Sequence, residues 1–246
     1  NPKISGQLFH PKICPNMINY IAFVRQIRDN RQIWLYNSKS KEIIQISPKG
    51  ATRKIEDMNI DEDTDQSIFK GYEDELEWCP VLHNGVQYYA YVSAGGVNNH
   101  DIYIGAIGSK VQTRITFDPE VDGTPRWSPD GKQILFESNR AGSSQLYLIS
   151  LDGGEAKQLT TISTGANDAL WSRDGSTLAF VMDGVMHVMA TTPTGEVTGA
   201  PRKISDDVAD SPSWTADSKR LLYQTATGLK LVDVADGRKI TDFTIE

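Results

Sequence analysis

The chain is poor in the residues on which most enzyme and metal centres are built, with 2 cysteines and 4 histidines among 246 residues. Cys14 and Cys79 stand 65 residues apart, which is neither a metal-ligand spacing nor a disulfide framework, and two separate thiols are expected. His10, His83, His100 and His187 fall in unrelated surroundings, with no pair at ligand spacing. A nucleophile elbow, a phosphate-binding loop and a dinucleotide fingerprint are all missing, so these residues are expected to be non-catalytic. Long hydrophobic runs are missing too. Stretches such as Ile21 to Val24 fall far short of the roughly 20 residues of a membrane helix, so no membrane insertion is expected. The first nine residues lack the basic start and apolar block of a signal peptide. Basic charge is also scarce, with 25 Lys and Arg against 32 Asp and Glu and a net charge of −7. Without a basic stripe to meet a phosphate backbone, nucleic acid is not an expected partner.

The acidity is local. Between Glu56 and Glu77 stand ten acids and one base, Lys70, so the rest of the chain carries a net charge of +2.

What the chain does have is a repeat. RWSPDGKQILFES from Arg126, LWSRDGSTLAFVM from Leu170 and SWTADSKRLLYQT from Ser213 align without gaps. Trp127, Trp171 and Trp214 are each followed nine residues later by Phe136, Phe180 and Tyr223, and the tryptophans are 44 and 43 residues apart. Two looser copies lie upstream, where WCP at Trp78 leads to YYAYV and ICP at Ile13 leads to YIAFV. Within each copy, apolar residues alternate over four to six positions between turn-forming clusters such as Pro129-Asp130-Gly131, which is the pattern of short strands. Four antiparallel strands in roughly 40–45 residues is the length of a propeller blade. One small sheet cannot cover both its faces, so the tryptophans are expected between stacked sheets as core.

The expected fold is therefore all-β, a β-propeller of four-stranded antiparallel blades, five detected and five or six in total. The blades fall at about 8–47, 74–117, 122–160, 166–205 and 209–246 of a single domain over 1–246, with an acidic insertion at about 48–73. The connections between second and third strands, Gln26 to Arg31, Ala94 to His100 and Asn139 to Ser144, are expected to be long polar loops suited to recognition.

WSPDGKQILFESNR, followed by QLYLISLDGG and QLT, resembles the TolB-like, WD-repeat-like propeller family over a span from about residue 8 to the C-terminus. The resemblance implies a protein- or peptide-binding scaffold of the bacterial cell envelope, periplasmic or secreted. Asn139 and Arg140 match the family's SNR element, where Arg140 either anchors its loop or contacts a partner. Two further resemblances imply the alternative, a propeller domain of a larger hydrolase. YEDELEWCP is similar to dipeptidyl-peptidase propellers, in which such acids hold a substrate amine, a role that would fall here to Glu73, Asp74 and Glu75. ADSPSWTADSKRLLY with LKLVDV is similar to propellers fused to amidohydrolases, and an end at Glu246 directly after a strand suits a chain continuing into another domain.

Two acidic patterns supply candidate sites. Asp74, Asp122, Asp168 and Asp210 precede the tryptophan position by three to five residues, where the innermost strands of a propeller begin. Gathered there, they would attract a basic segment of a protein or peptide, or a metal ion, although aspartate also serves simply to cap turns. Asp61, Asp63 and Asp65 alternate like the first three ligands of a calcium loop, but Gln66 replaces its glycine and Tyr72 its closing glutamate. No cofactor is expected, with calcium at those three residues as the alternative to a solvated loop.

Overall fold

A computed structural model describes residues 7–27, 30–46, 52–54, 73–96, 99–109, 111–192 and 194–244. The calcium candidates Asp61, Asp63 and Asp65 lie outside the described residues. The chain divides into two compact units, residues 1–125 and 126–246. Every regular element among the described residues is a strand.

In the first unit, β1 (Gln7–Ile13), β2 (Tyr20–Ile27), β3 (Asn30–Asn37), β4 (Glu42–Gln45) and β5 (Thr52–Lys54) pair in chain order. A second sheet follows from β6 (Glu73–His83), β7 (Val86–Gly96), β8 (Asn99–Ala106) and β9 (Gln112–Arg114). The unit boundary falls inside β10 (Asp122–Trp127), which opens a third sheet completed by β11 (Gln133–Ala141), β12 (Ser143–Ser150) and β13 (Lys157–Gln158). The fourth sheet is β14 (Ala166–Trp171), β15 (Thr177–Met182), β16 (Val185–Ala190) and β17 (Arg202–Val208). The fifth is β18 (Asp210–Trp214), β19 (Arg220–Thr225), β20 (Gly228–Asp233) and β21 (Lys239–Thr244).

Two sequence expectations need correction. The first sheet has five strands, because β5 extends into the span assigned to the acidic insertion and pairs Ile43 with Arg53. The long polar loops are largely strand. Ala141 still pairs with Ser143 across a turn at Gly142, and Gln26 with Arg31. Polar residues can continue a ladder beyond the core because backbone bonds, not side chains, hold it there.

Packing between successive sheets supplies the core. In the first unit, Ala22, Val24 and Leu35 meet Trp78, Tyr89 and Tyr91. In the second, Leu135 and Leu148 meet Trp171 and Phe180, while Ala179 and Val188 meet Trp214 and Tyr223. All four repeat tryptophans are at least 92% buried. Each such side chain contributes roughly 1.5–3 kcal/mol by leaving water. Two also tie strands together through the indole: Trp78 Nε1 donates to Lys12 O and Trp214 Nε1 to Leu170 O, both at 3.1 Å.

The hairpins between first and second strands share one local device. Ser128, Ser172 and Thr215 donate to Asp130, Asp174 and Asp217 at 2.6–2.7 Å, while each hydroxyl accepts a backbone N–H five residues on. Hydrogen bonds from Ser172 and Ser176 hold the Asp174 carboxyl below the usual carboxylate range. Gly131 and Gly175 take left-handed φ of 71° and 72° in two copies, but the third places Ser218 there at 59°. A Cβ in that region costs roughly 1–2 kcal/mol, partly offset by the freedom that glycine gives the unfolded chain. Ser218 Oγ also accepts the Asp174 N–H at 3.2 Å, a bond that glycine gives up, so the two effects of Ser218→Gly are expected to offset to within about 0.5 kcal/mol, read from the midpoint of urea unfolding at unchanged slope.

Candidate functional site: the first strands and their carboxylates

The first strand of each sheet carries a kink set by backbone conformation. His10, Thr124, Asp168 and Ser211 have φ of 47°, 53°, 53° and 49°, and each stands three residues before its copy's Ile13 or tryptophan position. Pairing with the second strand shifts at these points, between Phe9 and Lys12, Asn167 and Leu170, and Asp210 and Ser213, so each is a β-bulge. The second sheet has the same shift between Asp74 and Glu77.

These bulges sort the candidate aspartates. Asp122, Asp168 and Asp210 stand five, three and four residues before their tryptophans, hence at different places relative to the kink. Asp122 is fully buried, Asp168 half-buried and Asp210 exposed. Asp74 lies in β6 opposite Val92, with Glu73 and Glu75 on either side.

In the second unit Asp168 and Asp210 influence one another. Burial first, and then the negative charge of Asp210, push the Asp168 carboxyl above its ordinary range, opposed by the Ser211 N–H and the positive charge of Arg126. The backbone around Asp168 is stapled on both sides. Its own N–H donates to Glu137 Oε1 at 2.8 Å, and its carboxylate accepts from Ser211 N–H in β18. A carboxylate of the third sheet thus fastens the kinked backbone of the fourth, and one of the fourth that of the fifth. Glu137 was invisible to sequence reasoning because it reaches a partner 31 residues away through a left-handed residue that no spacing rule anticipates.

A second carboxylate centre lies in the first unit. Asp101, at the start of the third strand where other copies place Gln32 and Gln145, is completely buried and paired with Arg114 at 2.7 Å. Burial pushes its carboxyl up, Arg114 lowers it, and Asp122 raises it again. Arg114 also lies over the exposed Phe117 ring and donates from Nε to Thr116 O. An acid at a glutamine position was the available sequence signal for Asp101.

Arg140 is engaged by its own sheet. Its Nε donates to Ser138 Oγ at 3.0 Å and its guanidinium covers the Tyr147 and Phe136 rings at 4.8 and 5.4 Å. A pocket in the first unit, lined by Leu35, Ile44, Tyr89, Ile107 and Gln112, holds about 80 Å³. Ligand pockets run to roughly 300–1,000 Å³, so this one suits a few waters at most.

The raised Asp168 carboxyl fixes a sign. An acid that binds its proton more tightly in the folded state contributes most below its unfolded value near pH 4, and that contribution is lost as pH rises through the folded value. Asp168→Asn keeps an acceptor and a residue tolerant of positive φ while removing the charge. It is expected to flatten the fall in stability between pH 4 and pH 7, read from urea midpoints, whereas Asp168→Ala is expected to cost about 1–2 kcal/mol at both pH values.

The family model for the TolB beta propeller domain matches residues 48–241. A stretch of 55 residues, 22% of this chain, is 51% identical to the uncharacterized peptidase YuxL of Bacillus subtilis, covering 8% of that protein. Another of 65 residues, 26% of the chain, is 42% identical to the Tol-Pal system protein TolB of Bordetella pertussis, covering 12% of it. The crystal structure of TolB from Acinetobacter baumannii superposes with a TM-score of 0.63 at 22% identity, over 95% of this chain and 53% of that one. The chain therefore matches only small parts of these curated relatives and about half of the TolB chain of known structure. Five consecutive antiparallel sheets, the tryptophan-bearing repeat and a family match over most of the sequence lead to one assignment: the chain belongs to the TolB beta propeller domain family.

Proposed function

We propose that this chain is a non-catalytic propeller that binds a protein or peptide in the bacterial cell envelope, with a basic segment of the partner meeting Asp168 and Asp210. The observation that carries this reading is the placement of a half-buried and an exposed carboxylate on the first strands of two successive sheets, close enough for one charge to act on the other. An arriving ammonium or guanidinium group would relieve the repulsion that two neighbouring carboxylates build up, and Asp168 is already partly removed from solvent screening. The TolB of the Tol-Pal system, matched above, supports an envelope location, periplasmic or secreted. Asp122, being fully buried, is assigned to the fold rather than to the contact, and Arg140 to anchoring its hairpin.

A second reading rests on the 51% identity to a stretch of a protein named a peptidase. In it the propeller positions substrate for a hydrolase carried elsewhere in a longer protein, with Glu73, Asp74 and Glu75 receiving a peptide amine.

Titration calorimetry of a lysine-rich decapeptide into the protein at low salt separates the two. The scaffold reading expects saturable binding that weakens with salt and drops at least about tenfold in the Asp168→Asn/Asp210→Asn double variant, with the circular dichroism spectrum unchanged. Equal affinity in the double variant would remove that contact. Hydrolysis of aminoacyl dipeptide substrates by the full-length gene product, lost when Glu73, Asp74 and Glu75 are neutralised, would favour the second reading.

A further inference from the structure

The hydroxyl that closes the hairpin in three copies is a cysteine in the other two, and in one of these the change creates a different chemistry. Ser128, Ser172 and Thr215 each bond an aspartate two residues on. In the second sheet this position is Cys79, and the aspartate position is Val81, which offers no acceptor. The hairpin there is longer. Trp78 pairs with Tyr89, eleven residues on, where Trp171 pairs with Leu178, seven on. The extra length ends in a turn at Asn84 and Gly85, with φ of 51° and 77°.

Four residues along a regular strand span about 13 Å, too far for side chains to touch. The register shift between Trp78 and Leu82 folds that distance up and brings His83 Nε2 to 3.5 Å from Cys79 Sγ. Both ends are held. Gln87 Nε2 donates to the carbonyls of Cys79 and Tyr88 at 2.8 and 2.9 Å, and the His83 ring stands edge-on to Tyr88 at 5.5 Å.

Cys14 provides the contrast at the same repeat position in the first sheet. The residue two along is Asn16, whose amide turns away to Pro80 O and Gln87 Oε1. Among the described residues no imidazole is bonded to Cys14, and burial pushes its thiol up. Neither cysteine is in a disulfide.

We propose that Cys79 and His83 form a binding site for a soft monovalent metal cation of the Cu(I) class. The metal replaces the proton shared between sulfur and nitrogen: Cys79–SH and M⁺ give Cys79–S–M and H⁺, with neutral His83 Nε2 as second donor and no change of oxidation state. Charge decides the class. A thiolate, a monovalent cation and a neutral imidazole sum to zero, which a fully buried sulfur tolerates, whereas a divalent ion would leave a buried positive charge. Coordination number agrees. Zinc takes four ligands, and among the described residues no group of three or more His, Cys, Asp or Glu is placed to hold a metal, while soft thiolate donors select Cu(I). Bonds of about 2.3 Å to sulfur and 2.0 Å to nitrogen span at most about 4.3 Å, so the pair need open by less than about 1 Å. Leu82 and Val86 flanking the turn are 42% and 36% exposed, so the hairpin end has solvent around it to open into.

The site is independent of the partner-binding reading. Its test uses Ag(I), a redox-silent probe, titrated into the full chain in competition with a small dithiol, in the wild type, Cys14→Ser, His83→Asn and Cys79→Ser. One equivalent is expected to saturate the Cys14→Ser chain, to shift the His83 imidazole nitrogen resonances, and to bind at least about tenfold more weakly after His83→Asn. Equal affinity in His83→Asn, or His83 resonances unmoved at one equivalent, would reduce the result to capture by a lone thiol and overturn the site. Should Cys14→Ser or Cys79→Ser fail to fold, the His83 resonances of the wild-type chain carry the same decision.

Discussion

A four-stranded sheet of forty residues has two faces and too little chain to cover either, and every other property of this protein follows from how that deficit is met. Trp78 and Tyr89 of the second sheet pack on the first, Trp171 and Phe180 of the fourth on the third, and Trp214 and Tyr223 of the fifth on the fourth, so burial is shared between sheets rather than completed within one. Apolar transfer of this kind is strong and without direction. Direction comes from the polar devices laid over it: indole N–H groups reaching the first strand of the sheet before, and carboxylates fastening the kinked backbone of the sheet after.

That division explains what the sequence made legible. The tryptophan register, the strand alternation and turn clusters such as Pro129-Asp130-Gly131 are local, written within about ten residues, and they made a succession of small antiparallel sheets with buried tryptophans legible. The strand β5 was missed because three polar residues, Thr52, Arg53 and Lys54, carry no alternation. The hairpins read as loops because Asn139 to Ser144 look like solvent-facing turn residues while their backbones go on pairing.

The site was legible in kind but not in arrangement. Aspartates do gather at the start of the first strands, yet their spacing of three, four or five residues from tryptophan concealed different fates. Asp168 is itself the left-handed residue of its bulge, while Asp210 and Asp122 stand one and two residues before theirs, and the three carboxylates are half-buried, exposed and buried in turn. Asp101 and Glu137 were missed for a related reason, since the groups they answer to come from other strands. Long-range polar partners depend on the packed geometry, which a single sequence does not display.

The staple at Asp168 joins mechanics to chemistry. Its carboxylate holds the amide of Ser211 across a seam between two sheets and at the same time feels the charge of Asp210. Whatever neutralises that charge, whether a proton or a cationic side chain, also alters the acceptor on which the seam depends. The first strands of the fourth and fifth sheets are thus joined by a bond whose strength depends on the charge state of a single carboxylate.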